Sequence, residues 1–232
     1  MIYGMIATVE EVMKAHSLDW KRFPLIVLVA ILAVLVPVSP KRAVAQTADE
    51  AVLAVEKHYQ SLVDLTAKVT QINHLKAVGK TQTFEGKLLI KKPGRLRLEY
   101  TNGQLILIDG GSALIYMKKS EQMIKKAFTD FEHMNIPVAF LLGAAHIRND
   151  FDVLQPDPKA PRQLELLPKK SNAAMKKLAL ESDDAGSIKK LTIFDSTGNV
   201  TEINFTTVRE GVGLEDKQFT FKPPKGTEVI EQ

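Results

Sequence analysis

The segment Arg95–Tyr100 alternates apolar and charged residues, and this period of two limits the possible folds more than any other feature. It predicts a strand with one apolar face, formed by Leu96, Leu98 and Tyr100. The turn sequences Lys-Pro-Gly at 92–94 and Thr-Asn-Gly at 101–103 bound this strand on either side. Strands that are joined by such tight turns pair with each other in the antiparallel direction.

Similar strands are predicted between turn sequences along most of the chain. They lie at 65–72, 84–92, 105–108, 113–117, 122–128, 151–154, 163–168, 175–181, 187–195, 199–207 and 219–221. A helix is predicted from Ala48 to Val63, because Thr47 and Glu50 form a capping box ahead of a helical apolar stripe. The fold class is therefore α+β. A sheet of roughly ten strands curls, closes or splits rather than staying flat, and a curled sheet with an apolar concave face could enclose an apolar cavity.

The N-terminus has the pattern of a secretory signal peptide. Lys21 and Arg22 precede the uncharged run 23–38, and the small-x-small site Ala43–Ala45 follows it. We predict cleavage after Ala45 and a single domain over 46–232, in an exported chain. Met13 would be a more natural start than Met1. The run is shorter than a spanning helix needs, although an uncleaved anchor remains an alternative interpretation.

Charge and cysteine content exclude several functional classes. The chain has 31 Lys and Arg and 27 Asp and Glu, and the first 45 residues hold five of these bases and three of these acids. The remainder is nearly neutral, which argues against a nucleic-acid partner. Because cysteine is absent, disulfide frameworks, thiolate metal sites, thiol catalysis and a lipid anchor on cysteine are excluded.

No enzyme motif is present in the sequence. His residues form no H-E-x-x-H pattern, and no serine lies in G-x-S-x-G. We therefore predict no catalytic residue, no metal and no cofactor. A hydrolase of envelope lipids stays as an alternative that lacks a catalytic set.

Two features have both a structural and a functional interpretation. Lysine pairs recur at 91–92, 118–119, 125–126, 169–170, 176–177 and 189–190. They either protect strand ends and edges or form a rim that meets acidic partners or lipid head groups. The run 138–142, between Pro137 and Gly143, is either a core helix or a movable plug over an apolar cavity.

Six segments, taken in order, resemble the LolA-type periplasmic carriers of outer-membrane lipoproteins. The matching segments are Val69–Gln71, Phe84–Leu88, Lys92–Tyr100, Asp109–Tyr116, Ile136–Leu142 and Phe219–Val229. The resemblance implies an incomplete β-barrel whose helices form a lid over an apolar cavity for acyl chains. It also implies that an arginine latch holds the lid, and Lys92 stands at that place here.

The resemblance also implies that this chain is a non-enzymatic carrier in the periplasm. It would take lipoproteins from an inner-membrane ABC transporter, deliver them to an outer-membrane acceptor, and act as a soluble monomer. The residues expected to contact acyl chains are Leu96, Leu98, Tyr100, Ile106, Ile108, Leu114, Tyr116, Val138, Phe140, Leu141 and Leu142. The alternative is a protein of the same fold that carries other lipids or senses mislocalised lipoproteins.

Overall fold

A capped helix begins the part of the chain that the structure describes. The structure is a computed structural model that describes residues 47–128, 141–142, 146–157, 159–170 and 175–231. Helix α1 spans Ala48–Ser61, and the predicted capping box is present: the Glu50 amide donates to Thr47 Oγ1 (3.3 Å), and the Thr47 amide donates to Glu50 Oε2 (3.0 Å). The helix ends two residues before the predicted end, because Leu62 has extended backbone angles.

Twelve strands follow α1 within the described ranges. The first six are β1 (Asp64–Leu75), β2 (Lys80–Lys91), β3 (Arg95–Tyr100), β4 (Gln104–Asp109), β5 (Ser112–Met117) and β6 (Gln122–Ala127). A short helix, α2 (Ile147–Asp150), precedes the others, which are β7 (Phe151–Leu154), β8 (Gln163–Pro168), β9 (Lys177–Ser182), β10 (Ile188–Phe194), β11 (Val200–Glu210) and β12 (Glu228–Glu231). Single 3₁₀ turns lie at Lys76–Val78 and Asp216–Phe219.

All twelve strands belong to one sheet, in the order β12-β6-β5-β4-β3-β2-β1-β11-β10-β9-β8-β7. Every neighbouring pair is antiparallel except β12 with β6, which is parallel. The two edge strands, β12 and β7, do not pair with each other, so the sheet is an incomplete barrel. This confirms the predicted α+β class and its mostly antiparallel sheet.

The two faces of the sheet bury different hydrophobic clusters. The inner face, which we define as the face that packs against α1, contributes the larger cluster, and the helix adds Ala51, Val52, Val55 and Tyr59. The outer face is covered over β2 and β4–β6 by the C-terminal arm, residues 211–231, through Leu214, Phe219 and Phe221. Because side chains alternate along a strand, β2, β4 and β5 supply residues to both clusters.

The strand predicted at Phe219–Phe221 is wrong. Asp216–Phe219 forms a 3₁₀ turn that the Glu215 and Gln218 side chains cap, and both phenylalanine rings pack on the outer face. The last strand is instead β12, nearer the C-terminus. Within the described ranges, no helix combines the length and the hydropathy that crossing a membrane requires.

Candidate functional site

Strand register lines up aliphatic side chains across the inner face in rows. The first row runs over β1–β5, and its members lie opposite one another in the order Leu65, Ile90, Leu96, Ile108 and Ala113. All five are buried, with at most 3% of their surface exposed. Leu96 and Ile108, which the family resemblance leads us to expect at acyl contacts, are thus buried in the same hydrophobic cluster as α1.

The second row lies two residues further along each strand and is more open. Its members, in the same strand order, are Ala67, Leu88, Leu98, Ile106 and Ile115. Ala67 and Leu88 are buried, whereas Leu98, Ile106 and Ile115 are half-buried while still packing on the core. This patch of three branched aliphatic residues, which we call the aliphatic patch, is apolar surface that the described fold does not fully cover.

A tyrosine marks the border between the aliphatic patch and the polar end of the sheet. The Tyr100 hydroxyl donates a hydrogen bond to Gln71 Oε1, and burial raises the pKa of Tyr100 to about 12. The Tyr100 ring meets Phe84 edge-on, with 6.3 Å between ring centroids. A β-carbon at Gly86 would lie only 2.8 Å from the Glu99 carbonyl oxygen and 3.1 Å from the Tyr100 ring, so glycine makes room for this ring.

The residue at the predicted latch position contacts the predicted lid segment. Lys92, directly after β2, donates a hydrogen bond from Nζ to the carbonyl oxygen of Leu142. Leu141 and Leu142 are buried in the inner-face cluster. Burial lowers the pKa of Lys92 from its ordinary value, because the charged form loses solvation there.

The predicted contact residues divide into three groups. The first group lies in or beside the inner-face cluster. Its eight members are Lys92, Leu96, Leu98, Tyr100, Ile106, Ile108, Leu141 and Leu142. Leu114 and Tyr116 pack in the outer cluster under the C-terminal arm, because they alternate with the inward residues Ala113 and Ile115. Val138 and Phe140 lie outside the described residues.

Sequence reasoning missed Ile115, whose inward position follows once the β4–β5 register is known. It also missed Asp64, a buried carboxylate at the start of β1. The amides of Val212, Gly213 and Leu214 donate to this carboxylate at 2.7, 2.9 and 3.0 Å. Asp64 therefore fixes the C-terminal arm to β1, and nothing in a lone aspartate at the start of a strand predicts this.

Arg97 makes a second attachment of the arm. Its guanidinium donates to the carbonyl oxygens of Gln218 (3.4 Å) and Thr220 (3.3 Å) and pairs with Glu99 at 2.9 Å. The same alternation that turns Leu96 and Leu98 inward therefore places Arg97 under the arm. Among the described residues, no three His, Asp or Glu side chains converge in a way that could hold a metal ion.

Comparison with known proteins agrees with this geometry. Residues 60–222 match the family model described as outer membrane lipoprotein carrier protein LolA. An outer-membrane lipoprotein carrier protein from Chromobacterium violaceum is 30% identical over 155 residues, which is 66% of this chain and 74% of that protein. One of the same name from Nitrosomonas europaea is 26% identical over 211 residues, covering 90% and 97% of the two chains.

A solved structure supports the fold independently. An uncharacterized conserved protein from Thermus thermophilus superposes with a TM-score of 0.50 at 13% identity, covering 80% of this chain and 99% of that one. At that identity the likeness concerns the fold alone. The family model, by contrast, spans well over half of the chain and includes α1's C-terminal end, the sheet through β11 and most of the arm. The chain belongs to the LolA family of outer membrane lipoprotein carrier proteins.

Proposed function

We propose that this protein is a periplasmic, non-enzymatic carrier that binds the acyl chains of lipoproteins against the inner face of its sheet. The observation that supports this most is the aliphatic patch, Leu98, Ile106 and Ile115, half-buried beside a fully buried row. The names of its relatives, outer-membrane lipoprotein carriers, agree with the same ligand class.

The energetics suit a carrier that must also release its cargo. Each acyl CH₂ that leaves water contributes about 0.8 kcal/mol, so even part of one chain against the aliphatic patch binds measurably. Handover requires that a competing intramolecular contact refill the site. Leu141 and Leu142, buried on the same cluster and tied to Lys92, are suited to that competition.

The route of transfer is part of the proposal. Cargo would arrive from an inner-membrane ABC transporter and leave to an outer-membrane acceptor, with the carrier acting as a monomer in the periplasm after cleavage behind Ala45. The bond between Lys92 and Leu142 would open on loading. A lysine offers fewer donors in a less rigid geometry than an arginine, so this latch holds less strongly than the arginine that the family has at the same place.

Native mass spectrometry of the protein isolated from the periplasm of its own cells tests the proposal. We expect a 1:1 complex with an acylated lipoprotein, which dissociates when Leu98 is replaced by Asp. Copurification of free lipids alone would favour a carrier of other lipids. A complex that survives the substitution Leu98→Asp would contradict the assignment of the inner face.

A further inference from the structure

A concave region lies on the outer face of the sheet, which the C-terminal arm partly covers. It is a groove of about 1070 Å³ beside the C-terminal arm, with strands β11 and β1–β3 as its floor and Tyr116 and Phe221 at one end. The two rings lie 5.0 Å apart between centroids. The side chains that give the groove its charge are five cations and two carboxylates: Lys68, Lys87, Arg97, Lys118, Arg209, Glu85 and Glu99.

The floor of this outer groove holds an unfavourable charge pair. Lys68 on β1 and Lys87 on β2 are directly opposite each other in the antiparallel register. Like charges at opposed positions destabilise a sheet. On its other side Lys87 lies opposite Glu99 of β3, but neither lysine comes within ion-pair distance of a described carboxylate. Of the five cations, only Arg97 has a charged partner in the described structure, and that partner is Glu99.

The geometry decides which kind of anion would fit. The cations are spread from Arg209 on β11 to Lys118 beyond β5, five strand spacings or roughly 24 Å. That is the length of about seven residues of extended peptide and is much longer than one phosphate group. Strands β1–β5 are paired on both sides, so a peptide could not add to the sheet as a strand and would be bound through side chains.

The remaining lining is consistent with a peptide ligand. Threonine hydroxyls at 66, 70 and 206 lie along the floor and can hydrogen-bond to a peptide backbone. The half-buried ring of Phe221, which packs on the buried Tyr116, offers an aromatic surface to an apolar residue at one end. We propose that the outer groove binds an extended acidic segment of a partner protein, and that Lys68 and Lys87 are its central contacts. This proposal does not depend on the acyl-binding function of the inner face.

Fluorescence anisotropy with a defined probe tests the proposal. The probe is a seven-residue peptide of alternating Glu and Thr that carries a neutral fluorophore, added to the purified protein at low salt. We expect saturable binding that weakens as salt is added. Replacing both Lys68 and Lys87 by Gln should weaken it by about tenfold or more. The matched control replaces Lys57 and Lys176, exposed lysines that do not line the groove, and should change affinity by less than about twofold.

Thermal unfolding separates a binding role from a structural one. Removing an opposed pair of like charges should leave the Tm of the Lys68→Gln, Lys87→Gln variant unchanged or higher, while peptide binding falls. A lower Tm in that variant would assign the lysines a structural role and overturn the proposal. Equal binding of a peptide with Gln in place of Glu would also overturn it. A third outcome would overturn the proposal as well: vesicles of anionic phospholipid bind in a way that depends on Lys68 and Lys87, and binding of the peptide does not depend on them.

Discussion

Lys92 and Leu142 are joined by a hydrogen bond from the lysine Nζ to the leucine carbonyl oxygen, across 50 positions of sequence. The bond connects the end of β2 to a segment whose two leucines are buried in the inner-face cluster. It therefore ties a residue beside the sheet to leucines of the same hydrophobic cluster on which the aliphatic patch packs.

Replacing Lys92 by Ala should free the segment at 141–142. Loss of one hydrogen bond from a partly buried donor should lower the free energy of unfolding by about 1 kcal/mol. The same change should strengthen binding of an acylated ligand by roughly fivefold, because the competing contact is weaker. Isothermal titration with a triacylated lipopeptide measures this. Lys92→Arg, which keeps a hydrogen-bond donor at this position, is the control. If Lys92→Ala bound the lipopeptide more weakly than the unaltered protein does, the latch would be contradicted.

Asp64 should be essential for the attachment of the C-terminal arm. Its carboxylate accepts three backbone hydrogen bonds while only 3% of its surface is exposed. Asp64→Ala leaves those donors without their acceptor and should cost about 3 kcal/mol of stability. Urea unfolding gives the loss, and limited proteolysis should show earlier cleavage near residue 211. As a control, Asp152→Asn, at an exposed position, should leave both the unfolding and the proteolysis of the protein unaltered. If the arm of Asp64→Ala resisted the protease as well as the arm of the unaltered protein, the attachment would be disproved.

Gly186 should tolerate no side chain. A β-carbon there would lie 2.2 Å from the Ala54 carbonyl oxygen of α1, and its φ of +86° already disfavours other residues. Gly186→Ala must shift α1 off the inner face, so we expect a loss of about 3 kcal/mol or more in urea unfolding. Gly111, where a β-carbon meets nothing within 4 Å and no left-handed φ is required, supplies the control. Equal stability of the two alanine variants would show that α1 does not pack this closely.

Acid should weaken the pairing of β10, β11 and β1 through Glu202. A hydrogen bond from Lys190 (2.6 Å), with a further one from His74 (3.2 Å), lowers the pKa of Glu202 below its ordinary value of 4.5. The folded chain thus holds this proton less tightly than the unfolded chain. The resulting stabilisation is complete above pH 4.5 and is lost as the pH falls through the lowered pKa.

Unfolding of Glu202→Gln in urea, followed from about pH 7 to about pH 3, checks this. The variant should be less stable than the unaltered protein at neutral pH, and the difference should shrink on acidification. A difference that stays constant over this range would exclude the carboxylate as its source.

The sheet could be predicted from local patterns, because each strand carries its own period and its own turns. The strand at Arg95–Tyr100 has the bounds that the sequence predicts, and the α1 capping box is present with its expected bonds. The register could not be predicted in this way, since it depends on which residues pair across strands. The family resemblance accordingly predicts Leu114 and Tyr116 at the acyl site, whereas both pack in the outer-face cluster.

The C-terminal arm shows most clearly which contacts local sequence patterns do not predict. Phe219 and Phe221 have the spacing of a strand, but Phe219 lies in a 3₁₀ turn and is buried on the outer face, with Phe221 half-buried beside it. Asp64 and Arg97 hold the arm through bonds to backbone groups more than 120 residues away. Such bonds leave no local signal in the sequence, because any residue supplies the same amide and carbonyl groups.

The inner face as the acyl site is the central claim, and one comparison tests it most directly. Leu98 and Leu114 are both half-buried, on opposite faces of the sheet. Binding of a triacylated lipopeptide is measured by isothermal titration for Leu98→Asp and Leu114→Asp, after circular dichroism has verified that both are folded. We predict that Leu98→Asp loses affinity by about tenfold or more, while Leu114→Asp binds as the unaltered protein does. Unchanged binding by a folded Leu98→Asp would contradict the account.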